Sequence, residues 1–302
     1  MTEMIRGIDK QLMFRFFVLN TKEVVEQARQ FHQTSPVATA ALGRMLTAGL
    51  MIGYTLKNEK DKVTLRINGG GPLGTILVTA NNNGQVKGYV ENPHIDLPAK
   101  ENGKLDVGNA VGKEGYFQLI KDSGLKEPYS GSSKLVSGEI GDDIAAYFFY
   151  SEQQPTVVAL GVLIDVDGSV KSAGGFMLQL MPGLVEEEIA SVENAIRQMN
   201  QVSSYFDTED SLEMIAKNIL KDFELEITEK IPVMYFCDCT QERMEQVLIS
   251  LGYDELNDIY EQDEKAEIIC HFCNKKYQFE KQDLKHILDQ LADNGSTHAC
   301  DC

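Results

Sequence analysis

Six cysteines are the residues from which chemistry can be read in this chain. They stand at positions 237, 239, 270, 273, 300 and 302, all within the last 66 of 302 residues. The stretch IPVMYFCDCTQERM sets Cys237 and Cys239 one residue apart. CHFCNKKYQF sets Cys270 and Cys273 two residues apart, with 30 residues between the pairs. Alone, a Cys-x-Cys pair is a reactive dithiol, half of a metal site or coincidence. The two arms together match a four-thiolate zinc site, tetrahedral and closed, with no open position for a substrate and therefore structural. In the second arm the turn after Cys270 lets backbone amides point at the sulfurs. Lys275 and Lys276 offset negative charge there, and Tyr277 and Phe279 supply an apolar floor. The competing reading is four unrelated free thiols. A disulfide framework would spread its cysteines through the fold, whereas clustering at one end points to metal or redox chemistry.

Residues 233–292, which carry both arms, hold 13 acidic and 6 basic side chains. That is a poor core for a module of about 60 residues, a size at which domains usually need a staple. Zinc held by four cysteinates supplies on the order of 10–16 kcal/mol of folding free energy. A purely structural module usually has two Cys-x-x-Cys knuckles, and the Cys-x-Cys arm departs from this. Its sulfurs are near enough to join in a small, strained ring, and strained disulfides are more oxidising and more reversible. Thiolates are also the form that oxidants attack. If an oxidant pairs each arm locally, the metal is lost, and with it the free energy that folds the module.

Other candidate chemistry is weaker. GGGPLG at 69–74 fits Gly-x-Gly-x-x-Gly, but a dinucleotide loop must open a helix. Here it runs into the strand-like TILVTAN, so a glycine-rich hairpin turn is the better account. The five histidines, at 32, 94, 271, 286 and 298, are scattered. His271 reads as a spacer inside the second cysteine arm. No catalytic constellation is found, and the chain does not read as an enzyme.

Composition sets the frame. The chain is 43% hydrophobic and 25% charged, an ordinary globular balance, and its length suggests about two domains. The net charge of −18 is unevenly spread. Residues 1–181 hold 18 basic and 19 acidic side chains, and residues 182–302 hold 10 and 27. So acidic a half repels phosphate backbones, which argues against nucleic acid, and it keeps a chain soluble even when not folded. The N-terminus lacks a signal-peptide pattern. VATAALGRMLTAGLMIGYTL, broken by Arg44, reads as a buried helix and not a membrane span. The expectation is a soluble, cytoplasmic protein.

The elements that must position the cysteines read as α+β. LMFRFFVLN is a strand, and Asn20 with Glu23 has a capping-box pattern. Ser35 and Pro36 open the helix containing Arg44. KVTLRIN, TILVTA and QVKGYVEN form an antiparallel meander. A helix at 139–152 and a hairpin around 165–168 complete the first region. Beyond it, 184–206 is one long amphipathic helix carrying Val185, Ile189, Val192, Ile196 and Met199, and 210–223 is a second. Their stripes must lie on the first domain. The module then contains the strand VMYF, helices at 241–251 and 254–262, a hairpin at 266–279 and a helix at 281–292. The run 293–297 reads as a spacer before Cys300 and Cys302, accessory thiols that are not zinc ligands at rest.

With its Cys-x-Cys and Cys-x-x-Cys arms at this separation near the C-terminus, the chain resembles the redox-regulated heat-shock protein 33 (33 kDa chaperonin) family over essentially its whole length. The resemblance implies an α+β core, a helical linker and then a redox-sensitive zinc module, which the residues bound at 1–181, with antiparallel sheets, at 182–232 and at 233–292, ahead of a flexible tail at 293–302. It implies one Zn²⁺ per chain, bound by Cys237, Cys239, Cys270 and Cys273 in an inactive reduced state. Oxidation would join Cys237 to Cys239 and Cys270 to Cys273, expel zinc, unfold the linker and permit a homodimer. The oxidised form would then hold unfolding client proteins without ATP. In the tail, Cys300-Asp301-Cys302 copies the Cys237-Asp238-Cys239 triplet and lies outside the signature. The alternative from another class is a constitutive zinc-ribbon scaffold for partner proteins.

Overall fold

The computed structural model describes residues 2–199 and 202–296, with side chains through Ala292. The chain forms two compact units, Met1–Phe236 and Cys237–Cys302. Unit 1 holds β1 (Glu3–Asp9), β2 (Phe14–Asn20), α1 (Lys22–His32), α2 (Pro36–Gly53), β3 (Lys62–Gly70), β4 (Ile76–Asn81) and β5 (Gln85–Val90). It continues through α3 (Val107–Val111), β6 (Gly112–Asp122), β7 (Tyr129–Lys134), α4 (Gly141–Ser151), β8 (Thr156–Ile164) and β9 (Val170–Leu180). Last come α5 (Glu186–Arg197), α6 (Val202–Tyr205), α7 (Leu212–Ile219), β10 (Leu225–Pro232) and β11 (Met234–Tyr235). Unit 2 holds α8 (Gln241–Ser250), α9 (Tyr253–Gln262), β12 (Lys265–Ile269), β13 (Lys276–Glu280) and α10 (Lys281–Ser296).

Two mainly antiparallel sheets build unit 1, in the orders β10-β1-β2-β9-β8 and β11-β5-β4-β3-β6-β7. Helix α2 packs on strands of both. This explains a helix apolar on every side: 16 of its 18 residues are buried. Its composition and length would suit a membrane span, but 89% of the span is buried inside the protein. Its one charge, Arg44, is neutralised by Glu139 at 2.6 Å.

Strand β2 is the centre of the five-stranded sheet, and both its faces are covered. Phe14, Phe16 and Val18 belong to a core with Phe176 and Leu178 of β9, and the linker helices close that core with Val192, Phe206, Leu212, Ile215 and Ile219. The amphipathic stripes of the linker therefore lie on the first domain. The long helix expected over 184–206 is instead α5 followed by α6. Gln198 and Met199 donate to Ala195 and Ile196, three residues back, and these tight bonds end α5. Helix α7 opens at Ser211, whose hydroxyl accepts from the Met214 amide.

The linker also contains a strand that its helical reading did not include. β10 pairs with β1 from Leu225 opposite Asp9 to Pro232 opposite Glu3. Arg6 meets Glu229 at 2.7 Å, and the Tyr54 hydroxyl donates to the same carboxylate. β11 lies parallel to β5, and the Phe236 amide donates to the Val86 carbonyl at 2.8 Å. GGGPLG joins the antiparallel strands β3 and β4. A Cβ on Gly69 would stand 2.2 Å from the Gly112 carbonyl oxygen, so its glycines serve close backbone packing.

Unit 2 is a β12–β13 hairpin packed with three helices around Leu248, Leu256, Tyr277, Phe279, Leu284 and Ile287. Its elements match the expected order with two differences: the strand VMYF belongs to unit 1, as β11 beside β5, and α10 runs to Ser296, through most of the run read as a spacer. Cys300 and Cys302 lie outside the described residues.

Candidate metal centre

The first arm enters the centre directly from the end of unit 1's chain, where Phe236 is followed by Cys237. The second arm is the turn of the β12–β13 hairpin. There the Asn274 amide donates to the Cys270 carbonyl at 2.8 Å, and the Cys270 amide donates to the Lys275 carbonyl at 3.0 Å. The turn closes through Asn274 in the left-handed region, φ 56°, which asparagine tolerates better than most residues. Thr240, just past the first arm, caps α8 by accepting from the Arg243 amide. Arg243 in turn pairs with Asp238, the residue between the two cysteines.

These turns bring all four sulfurs within 4.8 Å of one another. Cys237 Sγ is 3.6 Å from Cys270 Sγ, and Cys239 Sγ is 3.4 Å from Cys273 Sγ. None of the four is in a disulfide. A tetrahedron of sulfurs about 2.3 Å from a metal has edges of about 3.8 Å. The cluster can therefore hold a metal ion, and an all-thiolate donor set of this size is compatible with zinc. Cys270 is buried and the other three are half-buried.

The sulfurs differ electrostatically. Burial pushes the Cys237 thiol well up. It also pushes Cys273 up, to about 11, although the Lys275 amide opposes it. At Cys239 burial acts in the same sense, but hydrogen bonds, first from the Tyr277 hydroxyl and then from Cys273, outweigh it and bring the thiol to about 7. The Tyr277 hydroxyl lies 3.1 Å from Cys239 Sγ and 2.9 Å from the Cys239 carbonyl oxygen. Donating to Cys239 pushes the tyrosine's own ionisation well up.

Tyr277 and Phe279 are the apolar floor read from the sequence, both buried. Lys275 lies with its Nζ 4.9 Å from the Tyr277 ring centroid, while Lys276 is committed to Glu267 at 3.0 Å. His271 is exposed and is not among the clustered side chains. The Tyr277 hydroxyl contact has no signature in the sequence, because it depends on how the hairpin meets the other arm.

A family described as Hsp33 protein matches residues 2–280. The 33 kDa chaperonin of Alkaliphilus oremlandii is 48% identical over 287 residues, covering 95% of this chain and 96% of that protein. The 33 kDa chaperonin of Caldanaerobacter subterraneus subsp. tengcongensis is 48% identical over 274 residues, covering 91% and 93%. The crystal structure of the 33 kDa chaperonin of Thermotoga maritima superposes with a TM-score of 0.88 at 34% identity, covering 97% of this chain and 99% of that one. Matched over nearly its whole length in sequence and in fold, this chain belongs to the Hsp33 family of 33 kDa chaperonins, and its role is that of a chaperone.

Proposed function

We propose that this chain is a redox-regulated, ATP-independent holdase of the cytoplasm, inactive when reduced and metal-bound. The observation that carries this reading is the cluster of four unpaired cysteine sulfurs within 4.8 Å. Cys237, Cys239, Cys270 and Cys273 are the proposed ligands of one zinc ion per chain. When bound, zinc would offset two of the four thiolate charges and supply on the order of 10–16 kcal/mol toward folding unit 2. The small core of that unit, built around eight buried residues that include Cys270 itself, supports this dependence.

Oxidation is the proposed switch. By the family resemblance, the disulfides join Cys237 to Cys239 and Cys270 to Cys273. With a peroxide as oxidant, each disulfide takes two electrons from two thiolates, breaks one O–O bond and, with two protons, releases two waters. Sulfurs joined in this way no longer offer thiolates to a metal, and unit 2 loses its staple. The chain from α5 to α7 then leaves the five-stranded sheet and uncovers Phe14, Phe16, Phe176 and Leu178, an apolar face for unfolding clients. The acidic character of the released segment, with Glu186, Glu187 and Glu188 opening α5, keeps it soluble while open. Homodimerisation of the oxidised form follows the same resemblance.

The test measures zinc content and suppression of client aggregation before and after peroxide. The reduced protein is expected to hold one zinc and to leave aggregation unchecked, and the oxidised protein the reverse. A Cys270→Ser/Cys273→Ser variant should bind no zinc. Reduced protein without zinc, or zinc retained in that variant, sinks the assignment.

A further inference from the structure

We infer that Tyr277 is a positioning residue for the thiolate cluster, holding the Cys239 sulfur in place and tempering its reactivity. This deepens the four-thiolate reading above and rests on it. The sulfurs are not held alike. Cys237 accepts from the Cys239 amide and Cys273 from the Lys275 amide, donors within two residues that come with each arm's own turn. Cys239 is reached across the cluster by a side chain, the Tyr277 hydroxyl at 3.1 Å. That hydroxyl is also 2.9 Å from the Cys239 carbonyl oxygen, so its single O–H is shared between the backbone and the sulfur of the first arm.

The donor is well fixed. Tyr277 stands in β13 opposite Ile268 and is 4% exposed, so water is not a ready replacement. A phenylalanine would fill the same space. The hydroxyl is therefore kept for its hydrogen bond, since a buried Tyr O–H requires a partner. Lys275 over the ring draws electron density from it and strengthens the O–H as a donor.

A hydrogen bond donated to a thiolate withdraws charge from sulfur and fixes its direction, as outer groups do for metal-binding side chains in general. In peroxide oxidation the sulfur lone pair attacks the O–O bond, giving a sulfenic acid and hydroxide. A neighbouring thiolate then displaces a second hydroxide to form the S–S bond, and two protons convert both hydroxides to water. Withdrawing charge from Cys239 slows the first of these steps at that sulfur. Tyr277 thus helps set how much oxidant the protein tolerates.

The test compares the full-length parent, Tyr277→Phe and Tyr277→3-fluorotyrosine, the last a stronger donor of the same shape. Each is reduced and loaded with cobalt(II), and the sulfur-to-cobalt charge-transfer bands are recorded. The bands should move to lower energy with Tyr277→Phe and to higher energy with the fluorotyrosine. Zinc affinity should fall about 10-fold in Tyr277→Phe, and peroxide-driven zinc loss should be several-fold faster. Superimposable bands and equal rates in all three proteins overturn the inference and leave Tyr277 a packing residue, with the metal reading intact. A parent that takes up no cobalt overturns both. If Tyr277→Phe does not fold, the fluorotyrosine protein decides alone by whether its bands move.

Discussion

One face of the five-stranded sheet lies under α2 and the other under α5, α6 and α7, and the two covers are built differently. Helix α2 buries 16 of 18 residues because it packs on both sheets at once. Helix α5 buries only Val192 and Ala195 of its twelve, and α7 four of its eight. Gly43, Gly49 and Gly53 bring α2 into contact with its neighbours; a Cβ on Gly49 would stand 2.8 Å from Val78. No such close approach is needed by α5, whose outer side carries Glu186, Glu187 and Glu193. Regions with few buried apolar contacts open at low free energy. The contrast shows how one sheet can keep its fold while giving up one of its two covers.

The largest effect that could break this comparison is in hydrogen exchange. After peroxide oxidation of the zinc-loaded protein, amides of α5 and α7 should lose most of their protection and those of α2 keep theirs. β10 should side with α2, because it is bonded along the length of β1 and pinned through Glu229 to Arg6 and Tyr54. If α5 and α7 stay protected while aggregation is suppressed, the linker is not the switch. If α2 opens with them, the two covers are one cooperative unit.

A smaller effect sharpens it. Leu46→Ala in α2 and Ile215→Ala in α7 each remove a fully buried side chain and should cost about 2–5 kcal/mol. The losses should fall on different equilibria. Leu46→Ala should lower the denaturant midpoint of unit 1 as a whole. Ile215→Ala should leave that midpoint nearly unchanged and instead make the reduced, zinc-bound protein partly active in suppressing aggregation. Equal midpoint shifts with no reduced-state activity would mean that α7 is as integral as α2.

This contrast was legible only in part. α2 announced itself through Ser35, Pro36 and a small and apolar run interrupted only by Arg44 among charged residues, and the strands β3, β4 and β5 through alternation and glycine turns. The four cysteines and the order of elements in unit 2 were readable because spacing and short-range periodicity are local signals. β10 was not read: Leu225, Ile227 and Ile231 alternate, but its partner β1 lies more than two hundred residues away in the chain, and charges at Glu226, Glu229 and Lys230 blur the pattern. β6 hid behind Gly112 and Gly115, with Phe117 and Leu119 its fully buried side chains. At the cluster, Tyr277 was legible as a ring and not as a hydroxyl, since composition cannot say which sulfur a buried donor will meet.

The smallest effect concerns charge on the two sides of the sheet. Glu213 of α7 pairs with Lys230 of β10, and that hydrogen bond, followed by a backbone one, lowers its carboxyl to about 2. Glu26 of α1 is likewise lowered to about 2, first by Arg29 and, against the opposing effect of burial, also by the Val170 amide of β9. A carboxylate whose folded value lies below its unfolded 4.5 contributes stability that is fully present above pH 4.5 and is lost as pH falls through about 2. Both pairs are partly exposed, so each contribution is modest. The comparison assigns them to different equilibria. Above pH 4.5, Glu213→Gln should speed hydrogen exchange in α7 a few-fold and leave α2 unchanged, and the difference from the parent should fade as pH approaches 2. Glu26→Gln should leave α7 exchange at the parental rate throughout, and lower the global midpoint of unit 1 slightly, over the same pH window. Equal responses of α7 to both substitutions would show that its release is not local, because the bonds of Glu26 run to Arg29 and Gln30 of α1 and to Val170 of β9.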